Sequence, residues 1–455
     1  MMLTQIEGYR LSPQQKRVWA LQEGNDVYRA TCAVALTGPL TPEAIKAALL
    51  QVINRHEILR TTFRRVPGIK VPLQVVAEAG LWTWEALDLQ GRSKPEQEAL
   101  VLERFQAIGR AAFDYEQGPL LRALLIRRSA AEYVLLLCLP PLSADAWTLK
   151  NLAREIASAC NSAIASEDEV VQYAQFSEWQ NELLEGEEAA PGQAYWREQD
   201  FSALAGLSLP YEIKVGERPP FDPQVFSIAI DPKVAQALAE SAPSIKLSLL
   251  AAWQVLLWRL TRQPDLVVGV SCTGRKFEDL EAGLGLFAKL VPIRSHVEAA
   301  YPFSKILRQA QQSLTTAEEW QDHFLWEESI GSVGLAEGYP YAFEWETRAG
   351  PETVGRLSFS LERAEVCAER FKIKLVCVQV GESLTAEWHY DASLFSVESI
   401  HCLAEQYQVL LASVAQDREA RLGTLALSSA ATRRHLLVEL NTTEAAYPDD
   451  KCLTD

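Results

Sequence analysis

The side chains best placed for chemistry lie in Leu135-Leu136-Leu137-Cys138-Leu139-Pro140-Pro141-Leu142-Ser143-Ala144-Asp145-Ala146-Trp147, where a polar loop follows an apolar run. Asp145 could serve as a general acid or base, or could hold a neighbouring cation in an ion pair. Ser143 could be a nucleophile, but none of His56, His296, His323, His389, His401 and His435 lies in the loop to activate it. No nucleophile-elbow pattern surrounds it either. Cys138 sits inside the apolar run and reads as a small core residue. Pro140 and Pro141 have no side-chain donor or acceptor and can neither orient nor deprotonate a substrate.

The same prolines dictate the local structure. Proline fixes φ and lacks an N–H, so two in succession stop a central strand and turn the chain. The apolar spacing of Trp147, Leu149, Leu152 and Ile156 then predicts a helix. Before this unit, Ser12-Pro13-Gln14-Gln15 opens a helix and Tyr28–Leu36 alternates as a strand. Thr41-Pro42-Glu43 caps a second helix, with a stripe from Ile45 through Leu49, Val52 and Ile53 to His56, which reads as a packed helix-end residue. After the unit, helices are expected over Tyr173–Leu184, Lys233–Glu240, Ser248–Arg262 and Val397–Val414. Strands are expected over Val225–Ile230, Asp265–Val270, Leu357–Leu361, Phe371–Val380 and Leu384–Tyr390. This mixture in both halves predicts an α/β or α+β fold with two sheets.

At 455 residues the chain exceeds one ordinary core, which predicts two lobes. A net charge of −17 disfavours nucleic acid or an anionic membrane as the partner. The eight cysteines show no C-x-x-C or metal-ligand spacing, which predicts no metal site and a reducing, cytoplasmic setting. The most apolar helix, near Leu247–Leu260, is too short to span a bilayer, and no signal peptide is visible.

A wider set of motifs now becomes informative. Ser12-x-x-Gln15-x-Arg17-x-Trp19, Arg55-His56-Glu57-x-Leu59-Arg60-Thr61-x-Phe63 and Phe113-Asp114-x-x-x-Gly118-Pro119-Leu120 occur in that order. Tyr195-Trp196, Gly274-Arg275, Gly285-x-Phe287 and Asp391-x-x-Leu394-Phe395 follow. The series resembles the condensation domains of nonribosomal peptide synthetases over essentially the whole chain. That resemblance implies two chloramphenicol-acetyltransferase-like lobes in a V with a tunnel between them. It divides the chain into an N-terminal lobe at 1–185, a C-terminal lobe with crossover and floor-loop elements at 186–436, and a linker toward an adenylation domain at 437–455. It implies carrier proteins as partners, with phosphopantetheine arms delivering an acyl donor and an amino acceptor, and no cofactor bound directly.

The family signature is His-His-x-x-x-Asp-Gly, whose second histidine orients or deprotonates the amine and whose aspartate holds the loop with an arginine. Here the signature falls on Pro140-Pro141-Leu142-Ser143-Ala144-Asp145-Ala146, so both histidines and the glycine are replaced while Asp145 and Trp147 remain. Asp145 is expected to form a structural ion pair with Arg55 or Arg60. Trp196, Arg275, Lys289 and Trp320 are candidates for the tunnel or carrier arm. Of these, Lys289 is read as solvated at the tunnel mouth, with a phosphate contact as the alternative, and both tryptophans as packing residues. Epimerisation relatives also keep the paired histidines, and cyclisation relatives need Asp where Pro140 stands.

The expectation is a degenerate condensation domain, first in its chain because Met1 lies close before the first motif. It would act as a platform for the adenylation domain or dock a carrier or tailoring enzyme. The alternatives are a starter-type acyltransferase working by positioning alone and a fold-level lookalike with a small-molecule tunnel.

Overall fold

The structure is a computed structural model that describes residues 7–22, 27–161, 170–204, 206–214, 220–240, 242–330, 338–429 and 434. The expected linker at 437–455 and His435 lie outside the described residues.

Two mixed six-stranded sheets carry the chain, with a two-stranded ribbon of Thr61–Arg64 and Leu73–Val76 beside them. The first sheet runs, in spatial order, Glu352–Val354, Leu357–Cys367, Arg29–Thr37, Glu132–Leu139, Leu121–Arg127 and Trp82–Asp88. The motif strand Glu132–Leu139 is central to it. Leu135, Leu137 and Leu139 join the core under the helices Pro42–Arg55 and Ala146–Cys160, while Val134 and Leu136 pack with Phe105 of the helix Lys94–Ile108. Burial on both faces explains why this strand is a continuous apolar run without alternation.

The second sheet runs Pro223–Ala229, Ser383–Asp391, Phe371–Val380, Tyr339–Arg348, Asp265–Cys272 and Lys289–His296. Helices Ile245–Thr261, Phe303–Trp320 and Val397–Gln416 share one large core with it, centred on Trp253, Trp388 and Tyr407. Phe371–Val380 and Val397 as a helix start match the expected bounds, and Thr41 caps its helix by accepting from Ala44 N–H.

Local pattern misses four strands, the short edge strand Glu352–Val354 among them. Trp82–Asp88 is a half-exposed edge, and Lys289–His296 contains Pro292, a residue tolerated there because this strand also lies at an edge. Tyr339–Arg348 interrupts its apolar run with Glu344, Glu346 and Arg348.

The sheets do not divide cleanly at 185. Leu357–Cys367 crosses back to pair antiparallel with Arg29–Thr37, completing the first sheet from the second half of the sequence. Leu280, Leu284, Leu286 and Phe287 likewise belong to the first core. No helix among the described residues is long and apolar enough to cross a membrane.

Candidate functional site

The motif turn is closed by Ser143 N–H donating to the Pro140 carbonyl at 3.0 Å. Asp145 then caps the helix Ala146–Cys160, accepting from Thr148 N–H at 2.7 Å. The remaining capacity of its carboxylate is taken by four donors from one distant loop. Arg275 donates through Nη1 at 2.8 Å and Nη2 at 3.1 Å, and the Phe287 and Ala288 N–H groups at 3.0 and 2.9 Å. Both members of the ion pair are buried, the side chains 3% and 2% exposed for Asp145 and Arg275. A carboxylate held this way is an anchor rather than a proton carrier.

The expected pairing of Asp145 with Arg55 or Arg60 is therefore corrected. Arg55 lies 4.0 Å from Glu155, and Arg60 lies 3.8 Å from Glu57 while donating to the Ala77 carbonyl. The true partner arrives from 130 positions further on, where local sequence gives no sign of the contact. His56 is buried with Nε2 2.8 Å from Glu155, as a packed helix-end residue.

Further staples fix the same loop. Trp147 Nε1–H and Asn151 Nδ2–H both donate to the Glu281 carbonyl, and the Thr148 hydroxyl donates to the Gly285 carbonyl. Gly274 has φ +66° and lies so close to the Phe287 carbonyl that a Cβ there would collide with it. The Gly-Arg motif is thus a backbone requirement followed by an anchor. Ser143 is 2% exposed, and its hydroxyl meets no hydrogen-bond partner among the described residues, so no base there activates it. Cys138 is fully buried core, with its thiol accepting from the Thr31 hydroxyl.

Beside Asp145 and Ala146 lies a cavity of about 300 Å³. Its wall combines the helix Pro13–Gln22 with Leu286, Ala288–Leu290, Phe324–Trp326, Glu344, Lys374 and the segment around Glu369. Of the four tunnel candidates, only Lys289 lines it. Lys289 is not solvated: its side chain is 8% exposed, with Nζ 3.1 Å from the Gln321 carbonyl and 3.4 Å from Asp322. That corrects the reading of it as a free mouth residue. Arg275 is committed to Asp145. Trp196 is 1% exposed, donates to the Trp320 carbonyl at 2.8 Å and packs on Phe324, while Trp320 stacks on Tyr195. Both tryptophans are packing residues.

Residues that were not among the site candidates supply most of the wall's polarity. Arg17 lies 3.3 Å from Glu369 and 4.0 Å over the Trp326 ring, and Lys374 lies 2.8 Å from Glu344. Among the described residues no histidine lines the cavity, and its buried Asp145 and half-buried Glu344 and Glu369 are each paired with a cation. The available signal was the placement of charges at alternate positions of otherwise apolar strands, as in Glu344, Glu346 and Arg348. These charges face the crossover strand: Arg348 donates to the Ala364 carbonyl and Lys374 to that of Val366.

This seam has a pH consequence. Burial pushes the Glu346 carboxyl up to about 7, with Arg348 pulling it down and Glu344 pushing it further up. Burial likewise raises Glu369. Glu387 moves the other way: burial alone would raise it, but His389 and Arg348 together bring it below its ordinary value. For Glu346 and Glu369 the folded state holds a proton more tightly than the unfolded chain. Their contribution is fully present below the ordinary carboxylate range and is lost as pH rises, through about 7 in the case of Glu346. The thermal midpoint should therefore fall between about pH 5 and pH 8, and Glu346→Gln should flatten that fall in part. A midpoint that rises over this interval would contradict the assignment.

The two mixed sheets with their helices, the crossover strand and the cavity beside the motif turn define a chloramphenicol-acetyltransferase-like α/β protein. Comparison with known proteins narrows this further. The family model described as "Condensation domain" matches residues 5–437, and the chain belongs to that family. The chain is 29% identical to chondramide synthase cmdD of Chondromyces crocatus over 459 residues, covering 96% of this chain and 12% of that protein. It is 26% identical to tyrocidine synthase 3 of Brevibacillus parabrevis over 470 residues, covering 97% of this chain and 7% of that protein. The chain thus corresponds to a small part of either relative. Among solved structures it is similar in fold to SgcC5 from Streptomyces globisporus, with TM-score 0.78 and 23% identity, covering 90% of this chain and 99% of that one. The X-domain from teicoplanin biosynthesis is similar at TM-score 0.75 and 23% identity, covering 94% and 99%.

Proposed function

We propose that this chain is a condensation-type domain of a nonribosomal peptide synthetase that has lost histidine-dependent amide formation and serves as a structural platform. The observation that carries this reading is that no described histidine stands in the cavity wall, together with proline at both histidine positions of the motif. The Asp145–Arg275 anchor remains, which fits a motif kept for architecture. Its partners are an adjacent adenylation domain and carrier proteins bearing phosphopantetheine arms. A tailoring enzyme is a further partner of the same kind: a solved X-domain from teicoplanin biosynthesis, of similar fold, is in complex with OxyB.

The cavity beside Ala146 favours a second reading, a starter-type acyltransferase that joins a carrier-bound acyl group to a carrier-bound amino acid by positioning alone. Mixing the chain with loaded donor and acceptor carriers and following amide product separates the two. The platform reading expects product no faster than from the carriers alone. Steady multiple turnover with an acyl donor would support the starter reading instead.

A further inference from the structure

One face of the second sheet is ionic. Glu344, Glu346 and Arg348 stand at alternate positions of Tyr339–Arg348. The register sets them beside Lys374 of Phe371–Val380 and beside Glu387 and His389 of Ser383–Asp391. None of these six side chains is more than 16% exposed. Arg348 bridges Glu346 at 2.6 Å and Glu387 at 3.4 Å, and Lys374 pairs with Glu344 at 2.8 Å. His389 lies 3.4 Å from Glu387. Three carboxylates thus meet two permanent cations and one histidine.

The same two cations reach across to the crossover strand Leu357–Cys367. Arg348 Nη2, which holds Glu346, also donates to the Ala364 carbonyl, and Lys374 Nζ donates to that of Val366. The backbone ladder of the crossover strand runs with Arg29–Thr37, so these contacts bridge two sheets and belong to neither ladder. From its own side the crossover strand adds Arg363, which helps hold Glu387 ionised, and Glu365, 3.5 Å from Arg363. Cys367 lies near Lys374, and the Arg17–Glu369 pair flanks the same lysine.

With Glu346 protonated the layer is matched, Glu344 with Lys374 and Glu387 with Arg348. Once ionised, Glu346 competes with Glu387 for Arg348 and is repelled by Glu344. Burial opposes that ionisation most strongly, and water admitted between the sheets would remove the burial. A parted seam therefore gains on a closed one as Glu346 loses its proton.

We propose that this layer is a pH-sensitive clasp between the crossover strand and the second sheet, closed while Glu346 is protonated and parted when it ionises. Each sheet keeps its own ladder and core when Arg348 and Lys374 release the two carbonyls, so the seam opens without global unfolding. Glu344, Lys374, Val366 and Glu369 also line the cavity, and its wall moves with the clasp.

Two native cysteines test this. Cys367 packs with Tyr28 of the first half and with Phe221 and Phe371 of the second, and reports on the seam. Cys377, fully buried in the second core, reports on global unfolding. The full chain is alkylated with iodoacetamide between about pH 6 and pH 8, and each cysteine is followed by peptide mass spectrometry. Dividing each rate by that of the same cysteine in the urea-unfolded chain at the same pH removes the reactivity of the thiol itself. The normalised rate at Cys367 should rise roughly tenfold over this interval and exceed that at Cys377 throughout. Glu346→Gln should remove most of the rise. If Glu346→Gln fails to fold, the contrast between Cys367 and Cys377 in the unmodified chain decides. The proposal is overturned if the Cys367 rate stays flat, if the two cysteines share one normalised rate, or if folded Glu346→Gln shows the same rise.

Discussion

Replacing Asp145 with alanine should destabilise the chain by about 3–5 kcal/mol, because it strands the buried Arg275 guanidinium without a counter-charge. The substitution also orphans the N–H groups of Thr148, Phe287 and Ala288, which converge on the same two oxygens. Loss of the anchor should loosen the loop Thr273–Ala288, which brings Leu280, Leu284, Leu286 and Phe287 into the first core. Asp145→Asn should cost less, since its carbonyl oxygen can still cap the helix. Replacing both partners with apolar residues of similar size, Asp145→Leu with Arg275→Met, should recover part of the loss, because a buried pair contributes little net stability beyond its own desolvation. Denaturant titration of the four chains measures these differences. A loss below about 1 kcal/mol for Asp145→Ala would mean that the pair does not hold the loop.

The second large effect is catalytic. Restoring the motif through Pro140→His, Pro141→His and Ala146→Gly should raise amide formation from loaded carriers by roughly 10²–10⁴-fold, the usual contribution of a positioned general base. The turn itself tolerates the change in principle, since its closing hydrogen bond uses the carbonyl of residue 140 and the N–H of Ser143, neither of which proline supplies uniquely. Asp145 and its loop are already in place, and Ala146 already borders the cavity. If the restored chain folds and forms no more amide than the parent, the cavity is closed to substrates and the missing histidines are not the only obstacle.

Much of this architecture is written locally. The double proline ends the motif strand where the structure ends it, and the apolar spacing after Trp147 becomes the helix Ala146–Cys160. What local pattern cannot encode is which distant charge meets which. Arg55 and Arg60 bracket a helix exit and invite pairing with Asp145, yet the guanidinium that reaches it comes through Gly274-Arg275, across the seam between the two halves. The Gly-Arg motif was visible; its partner was not. Buried charge was misleading for the same reason. Lys289 reads as a solvated residue because nothing near it in sequence is acidic, but the fold places Asp322 beside it. Glu344, Glu346 and Arg348 interrupt an apolar strand, and the fold pairs Glu344 with Lys374 and Glu346 with Arg348, which also donates to the Ala364 carbonyl of the crossover strand Leu357–Cys367.

The central claim is that proline at the two histidine positions removes the reaction while the fold is kept. It is tested most directly by single-turnover amide formation with donor and acceptor carriers loaded, comparing the unmodified chain with the Pro140→His, Pro141→His, Ala146→Gly chain. The account predicts product at the carrier-only background for the unmodified chain and a rate at least about 10²-fold higher for the restored one. Equal, rapid product formation by both would contradict it.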